Sequence, residues 1–199
     1  MSFIQRAASR TTDWLVQGGG ITEAEREVHE YGLDKLFSSL VHFLFTASVG
    51  FLFGIPGQTM LFFVTYYIIR IYAGGYHAKT KLMCFVTSVV IMILTLAAIK
   101  FWHVWFSVWA FYALLILSGT VLLLISPVAN KNKMLDGREK TVYRRCMIRN
   151  IFVAFTAAVT MFHFLYHSLA VPVLFGVLLA ALMAVAGKVK LWVENENAC

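Results

Sequence analysis

The chain has 199 residues, of which 60% are hydrophobic and 14% are charged, and its formal net charge is +7. A soluble domain of this length could not bury so much apolar surface, so the composition indicates an integral membrane protein. The positive charge does not indicate nucleic-acid binding, because the basic residues flank apolar segments, as the positive-inside rule expects. With three prolines and no Pro/Gly/Ser-rich linker, we expect one domain.

The first 17 residues are predicted to form an amphipathic helix that lies in the membrane interface. Gly18–Gly20 interrupt this helix. Thr22, followed three residues later by Glu25, predicts a capping box that starts a polar helix leading into the first apolar stretch.

Six apolar stretches approach the length of about 20 residues that a membrane-spanning helix needs. They cover residues 36–55, 58–73, 82–100, 104–126, 148–168 and 171–188. The sequence therefore predicts an all-α, polytopic membrane protein with six transmembrane helices. The second stretch is short, so four spans plus re-entrant segments are the alternative. Pro56-Gly57 and Pro172 predict tight turns on the outer side. The single membrane domain, 1–199, then has three parts: interfacial or cytoplasmic helices at 1–34, the transmembrane bundle at 36–188 and a tail at 189–199.

The distribution of charge predicts the orientation. In the six-span arrangement, Lys100 alone among the seventeen Lys and Arg residues falls on the outer side, which places both termini in the cytoplasm. Cys84, Cys146 and Cys199 also fall on the cytoplasmic side, where thiols stay reduced. None of them forms a Cys-x-x-Cys pair, which argues against a dithiol oxidoreductase.

His77 and Cys84 follow a Gly74-Gly75 pair at the edge of an apolar segment. A histidine can take a proton from a thiol, and a thiolate can attack a carbonyl carbon. In one continuous helix their Cα atoms would lie about 10 Å apart along the axis, too far for a hydrogen bond. The two glycines permit the tight turn that would bring the side chains together. The pattern therefore predicts a catalytic histidine–cysteine pair, with Cys84 near the start of the third span.

Arg70 stands at the end of the apolar run Met60–Ile69. A charge at such a depth is costly unless it faces a polar site or extends to the interface. Arg70 can therefore hold a substrate carboxylate, support the site or act as a positive-inside anchor, and the sequence leaves these interpretations open.

Arg70, the run Tyr72-Ala73-Gly74-Gly75-Tyr76-His77-Ala78 and Cys84 resemble the signature of the accessory gene regulator B family. These are membrane peptidases of peptide quorum sensing in Gram-positive bacteria. The run Ser126–Lys131 resembles the family's entry to its fourth loop, although this chain has Asn132 where the family often has proline.

The resemblance implies a cysteine endopeptidase that removes the C-terminal tail of a signal-peptide precursor and promotes its cyclisation to a thiolactone. Cys84 would be the nucleophile, His77 the general base, and Arg70, Gly74 and Gly75 supporting residues. The site would face the cytoplasm of a Gram-positive cell, and neither a metal nor another cofactor is expected.

The resemblance also implies the partners. They are the lipid bilayer, a second copy in a homodimer and an AgrD-like precursor with an amphipathic helix and an acidic tail. Basic residues of the predicted fourth loop could attract that tail, although membrane topology alone also explains them. They are Lys131, Lys133, Arg138, Lys140, Arg144 and Arg145. The alternatives from other classes are a small peptide transporter or exporter and a non-catalytic membrane scaffold.

Overall fold

The computed structural model describes residues 3–76, 81–102, 107–128, 136–164 and 167–196. Within these ranges there is no β-strand, so the all-α prediction is confirmed. The described residues form seven α-helices: α1 Phe3–Gln17, α2 Arg26–Leu52, α3 Pro56–Ala73, α4 Lys81–Lys100, α5 Val108–Ile125, α6 Gly137–Phe164 and α7 His167–Glu196.

Five of these helices, α2, α4, α5, α6 and α7, are long and apolar enough to cross a membrane. The chain is therefore a multi-pass membrane protein. Helix α3 has 18 residues but is not among the five, and polar side chains including Gln58, Thr59 and Arg70 interrupt its apolar sequence. The six-span arrangement with both termini in the cytoplasm stays a prediction.

The prediction of a turn at Pro172 is wrong, because this residue lies inside α7 and is buried. Proline has a fixed φ that is compatible with a helix, and near the start of a helix its missing N–H removes a single main-chain hydrogen bond. Pro56, in contrast, is the first residue of α3 and follows a turn in which Gly54 has a φ of 72°. This position at a helix start is one that proline favours.

The helix that contains the fifth predicted span begins before that span does. Helix α6 starts at Gly137 and runs for 28 residues, so much of the predicted basic loop is helical. A helix of this length measures about 42 Å, whereas the hydrocarbon core of a bilayer is about 30 Å thick. The basic first turns of α6 therefore extend beyond the apolar part of the same helix.

The chain divides into two compact units, residues 1–48 and 49–199. In the first unit, Asp13 of α1 forms an ion pair with Arg26 of α2, with 2.5 Å between Oδ1 and Nη2. The predicted capping box is confirmed, because the Thr22 N–H donates a hydrogen bond of 3.0 Å to the Glu25 carboxylate. This contact fixes the chain direction just before α2 begins.

In the second unit, α7 is the most buried of the apolar helices and packs against α3, α4, α5 and α6. Gly176 of α7 lies against Thr65 of α3, because a Cβ atom at Gly176 would come within 2.8 Å of the threonine side chain. In the same unit, the rings of Phe111 in α5 and Phe162 in α6 stack with their centroids 4.4 Å apart. Inside a membrane, the expected sources of stability are close helix contacts through small residues and dispersion between aromatic rings.

Phe111→Ala should lower the stability of the folded chain by about 3–5 kcal/mol, because Phe111 has no exposed surface and its removal leaves a cavity against Phe162. Thermal unfolding of the purified chain in detergent checks this. Trp109→Ala is the matched control in the same helix, since the Trp109 side chain is 83% exposed. Equal shifts of the melting temperature for the two variants would contradict the packing described.

Candidate functional site

The candidate site begins where α3 ends. Gly74 caps the helix, and its N–H donates a hydrogen bond of 3.3 Å to the carbonyl oxygen of Arg70. Gly74 has a φ of 71° and Gly75 a φ of 133°. These are conformations that residues with a side chain rarely adopt, so the Gly-Gly pair permits a sharp exit from the helix. We call residues 74–76 the exit segment.

Arg70 binds the main chain of the exit segment. Its Nη1 donates a hydrogen bond to the carbonyl oxygen of Gly74, and its Nη2 donates to that of Tyr76 at 2.8 Å. Both bonds are partly buried and carry a full charge on the donor, which makes them stronger than neutral hydrogen bonds. Arg70 thus holds two carbonyl groups of the exit segment.

Two further main-chain contacts hold this part of the chain. The Val128 N–H, just after α5, donates a hydrogen bond of 2.9 Å to the carbonyl oxygen of Ala73. The Tyr76 N–H donates a hydrogen bond of 2.9 Å to the carbonyl oxygen of Met183 in α7. Groups from α3, α7 and the chain after α5 therefore hold the exit segment and the residue before it.

Gly75 occupies a space too small for any side chain. A Cβ atom at this position would lie 2.5 Å from Arg70 Nη1 and 2.6 Å from the carbonyl oxygen of Met183. Even alanine would push the guanidinium or α7 away, in addition to the strain of its positive φ. The requirement for glycine here is therefore steric as well as conformational.

Cys84 lies in the first turn of α4, as the sequence predicts. Its side chain is partly buried and forms no disulfide. Tyr66 lies one helical turn before Arg70 in α3 and is partly buried.

Several predicted site residues fall outside the described residues. They are His77, Lys131 and Lys133. The other predicted tail-binding residues lie in the first turns of α6, and each is exposed: Arg138, Lys140, Arg144 and Arg145. Among the described residues, no cluster of three or more His, Cys, Asp or Glu side chains could hold a metal ion.

Sequence reasoning did not identify Val128 or Met183. Val128 and Met183 act through main-chain atoms, which every residue carries. The residue types at positions 128 and 183 therefore could not indicate these contacts.

Comparison with known proteins decides the family. The model of the family described as Accessory gene regulator B matches residues 8–185, most of the chain. The chain belongs to the accessory gene regulator B family. This family takes part in the processing of quorum-sensing peptides.

Two relatives agree with this assignment. The chain is 39% identical to Protein FsrB of Enterococcus faecalis (strain ATCC 47077 / OG1RF) over 64 residues, which are 32% of this chain and 26% of FsrB. It is 24% identical over 166 residues to a Putative AgrB-like protein of Clostridium perfringens (strain SM101 / Type A), covering 81% of this chain and 78% of that protein. The match to FsrB thus spans about a quarter of that relative. No solved structure matches the chain.

Arg70→Lys should destabilise the site although it keeps the charge. One ammonium group cannot reproduce the two N–H groups of the guanidinium that hold the carbonyls of Gly74 and Tyr76. We expect a loss of about 1–3 kcal/mol, measured by thermal unfolding in detergent. Arg144→Lys, at an exposed position of α6, is the matched control and should have little effect. If both variants unfold at the wild-type temperature, the bonds from Arg70 do not stabilise the exit segment.

Proposed function

We propose that this chain is a membrane cysteine endopeptidase that removes the C-terminal tail of a quorum-sensing signal-peptide precursor. The observation that carries the proposal is the binding of the exit segment by Arg70, immediately before His77 in the sequence, with Cys84 in the first turn of the next helix. Membership of the accessory gene regulator B family supports the same conclusion.

In the first step, Cys84 Sγ attacks the carbonyl carbon of the precursor residue that precedes the tail. His77 takes the thiol proton and gives it to the departing amine as the C–N bond breaks. The tail leaves with a free amino group, and the rest of the precursor is held as an acyl thioester on Cys84. The reaction needs neither a redox cofactor nor a metal ion in this scheme.

In the second step, a cysteine thiol of the precursor attacks the thioester carbonyl. The bond to Cys84 breaks, the proton of the attacking thiol passes to the Cys84 sulfur, and a cyclic thiolactone is released. One thioester replaces another, so the free energy changes little. Exclusion of water at the membrane edge would favour this step over hydrolysis.

The precursor in this proposal has an amphipathic helix and an acidic tail, and the tail binds near the start of α6. The support is electrostatic, because Arg138, Lys140, Arg144 and Arg145 are exposed on the first turns of that helix. The predicted Lys131 and Lys133 would add to the same positive region. Such a cluster attracts an acidic segment and raises its rate of association.

The proposal places the site on the cytoplasmic side of the membrane and the protein in a homodimer. The concentration of basic residues in the segments that flank the predicted site supports the first statement, since cytoplasmic loops carry such an excess. The family resemblance alone supports the second.

Cys84→Ala should abolish cleavage, and His77→Ala should reduce it by about 10²–10⁴-fold, the usual contribution of a general base. The assay co-reconstitutes the full chain in lipid vesicles with a synthetic precursor that has an amphipathic helix, a cysteine-containing core and an acidic tail. Mass spectrometry follows release of the tail and the acyl adduct on Cys84. Cys146→Ala is the matched control, because Cys146 is also a free, partly buried thiol.

A Cys84→Ala variant that releases the tail at the wild-type rate would refute the nucleophile assignment. Transport or scaffolding would then be the better account. Movement of uncleaved precursor across the vesicle membrane separates those two alternatives.

Reversal of charge at Arg144 and Arg145 should raise KM for the precursor about tenfold and leave kcat within twofold, because these residues attract the tail and do not touch the reacting atoms. The difference should shrink as salt is raised, since both side chains are exposed and screened. The double variant Arg6→Glu/Arg10→Glu, at exposed positions of α1, is the control for net charge. An equal rise of KM in both variants would show that total charge matters and the position on α6 does not.

A further inference from the structure

Tyr76 is bound along one face of α7. Its N–H donates to the carbonyl oxygen of Met183, and its ring lies 5.4 Å from the Nζ atom of Lys190, two turns further along the helix. Between these contacts stands Gly187, one turn after Met183, and Gly187 is buried. The main chain of the exit segment therefore passes directly over this glycine.

The space above Gly187 is filled by that main chain. A Cβ atom at Gly187 would lie 2.5 Å from the carbonyl carbon of Gly75, 2.6 Å from its Cα atom and 2.7 Å from the Tyr76 nitrogen. These are main-chain atoms, which cannot rotate away as a flexible side chain could. Any side chain at position 187 must therefore displace the exit segment or α7.

The missing side chain also explains how a helix carbonyl can accept a second hydrogen bond. In a helix the Met183 oxygen faces the N–H of residue 187, and a carbonyl oxygen has a second lone pair. A side chain at i+4 would cover that second acceptor site. With glycine there, the Tyr76 N–H reaches the Met183 oxygen at 2.9 Å.

We infer that Gly187 is a positioning residue of the peptidase. Because Gly187 has no side chain, the Gly75–Tyr76 peptide can pack against α7, and this contact sets the position of His77, the next residue. The inference rests on the function proposed above, because it gives His77 its role. Gly187 lies beyond residues 8–185, the part of the chain that the family model matches. Arg70 holds the exit segment through hydrogen bonds, whereas Gly187 provides the space that the segment occupies.

Gly187→Ala is a discriminating test because alanine is the better helix former by about 1 kcal/mol. A loss of function in this variant therefore cannot be ascribed to a lower helix propensity of α7. Gly57→Ala is the matched control, since Gly57 is also in a helix and a Cβ atom there would meet nothing within 4 Å.

The first readout is amide hydrogen exchange of the full chain in lipid vesicles, followed by mass spectrometry of peptides that end at Tyr76. We expect exchange at Gly75–Tyr76 to be about tenfold faster in Gly187→Ala than in wild type, and unchanged in Gly57→Ala, because the bond to Met183 is lost. Unchanged exchange in Gly187→Ala would overturn the inference, whether or not the chain is a peptidase.

The second readout is the pH dependence of alkylation of Cys84 by iodoacetamide, with Cys146 and Cys199 replaced by alanine. A histidine–cysteine pair gives a reactive thiolate at a lower pH than an isolated thiol does. Gly187→Ala should match the profile of His77→Ala, with a rate near pH 6 about tenfold below that of the parent, while Gly57→Ala should match the parent. A parental profile in Gly187→Ala would overturn the positioning role.

The two readouts separate failure of the inference from failure of the proposed function. If the parent and His77→Ala share one alkylation profile, the histidine–cysteine pair is refuted, and the positioning role falls with it. In that case faster exchange in Gly187→Ala would still establish the contact with α7. If the pair exists but both Gly187→Ala readouts equal those of the parent, only the inference fails.

Discussion

The arrangement of the candidate site depends on hydrogen bonds to the main chain of the exit segment, whose three residues lie outside the helices. A main chain that leaves a helix at the edge of a membrane has N–H and C=O groups that water cannot reliably satisfy, and each unpaired group costs free energy. Here the carbonyls of Gly74 and Tyr76 accept from Arg70, the Tyr76 N–H donates to Met183, and the Ala73 carbonyl accepts from Val128. These partners belong to different elements, so the exit segment is held by several parts of the unit at once.

This requirement explains why α3 and α7 differ so much in composition. Helix α7 is largely buried and packs against four neighbours, so it provides a fixed surface. Helix α3 carries the polar groups, with Tyr66 and Arg70 on successive turns, and it falls short of a fully apolar span. The bonds that Arg70 makes offset the cost of partly burying its charge, and they also order the exit segment.

The all-α class and the apolar helices could be predicted from the sequence, because hydropathy depends on side-chain identity. The start of α6 was missed because its basic residues look like a loop, although arginine, lysine and glutamate are good helix formers. Pro172 was misread because proline marks turns more often than early helix positions. In the candidate site, the turn at Gly74-Gly75 and the position of Cys84 at the start of α4 could be predicted from residue type. The contact between the exit segment and α7 could not be predicted. The oxygen of Met183 is a main-chain atom, and a helical glycine such as Gly187 usually serves packing alone.

The helical form of the basic segment changes what that segment can do. In a flexible loop, the charges would occupy many positions, and a peptide tail would have to order them on binding. On α6 they have fixed spacings, and the Tyr143 ring packs edge to face on Tyr72, near the end of α3, with centroids 5.6 Å apart. Asn150 adds a hydrogen bond of 3.4 Å to the carbonyl oxygen of Ile68. The positive surface of α6 is thus held in a fixed relation to the helix that carries Arg70, and the proposed binding of the tail on α6 would use this alignment.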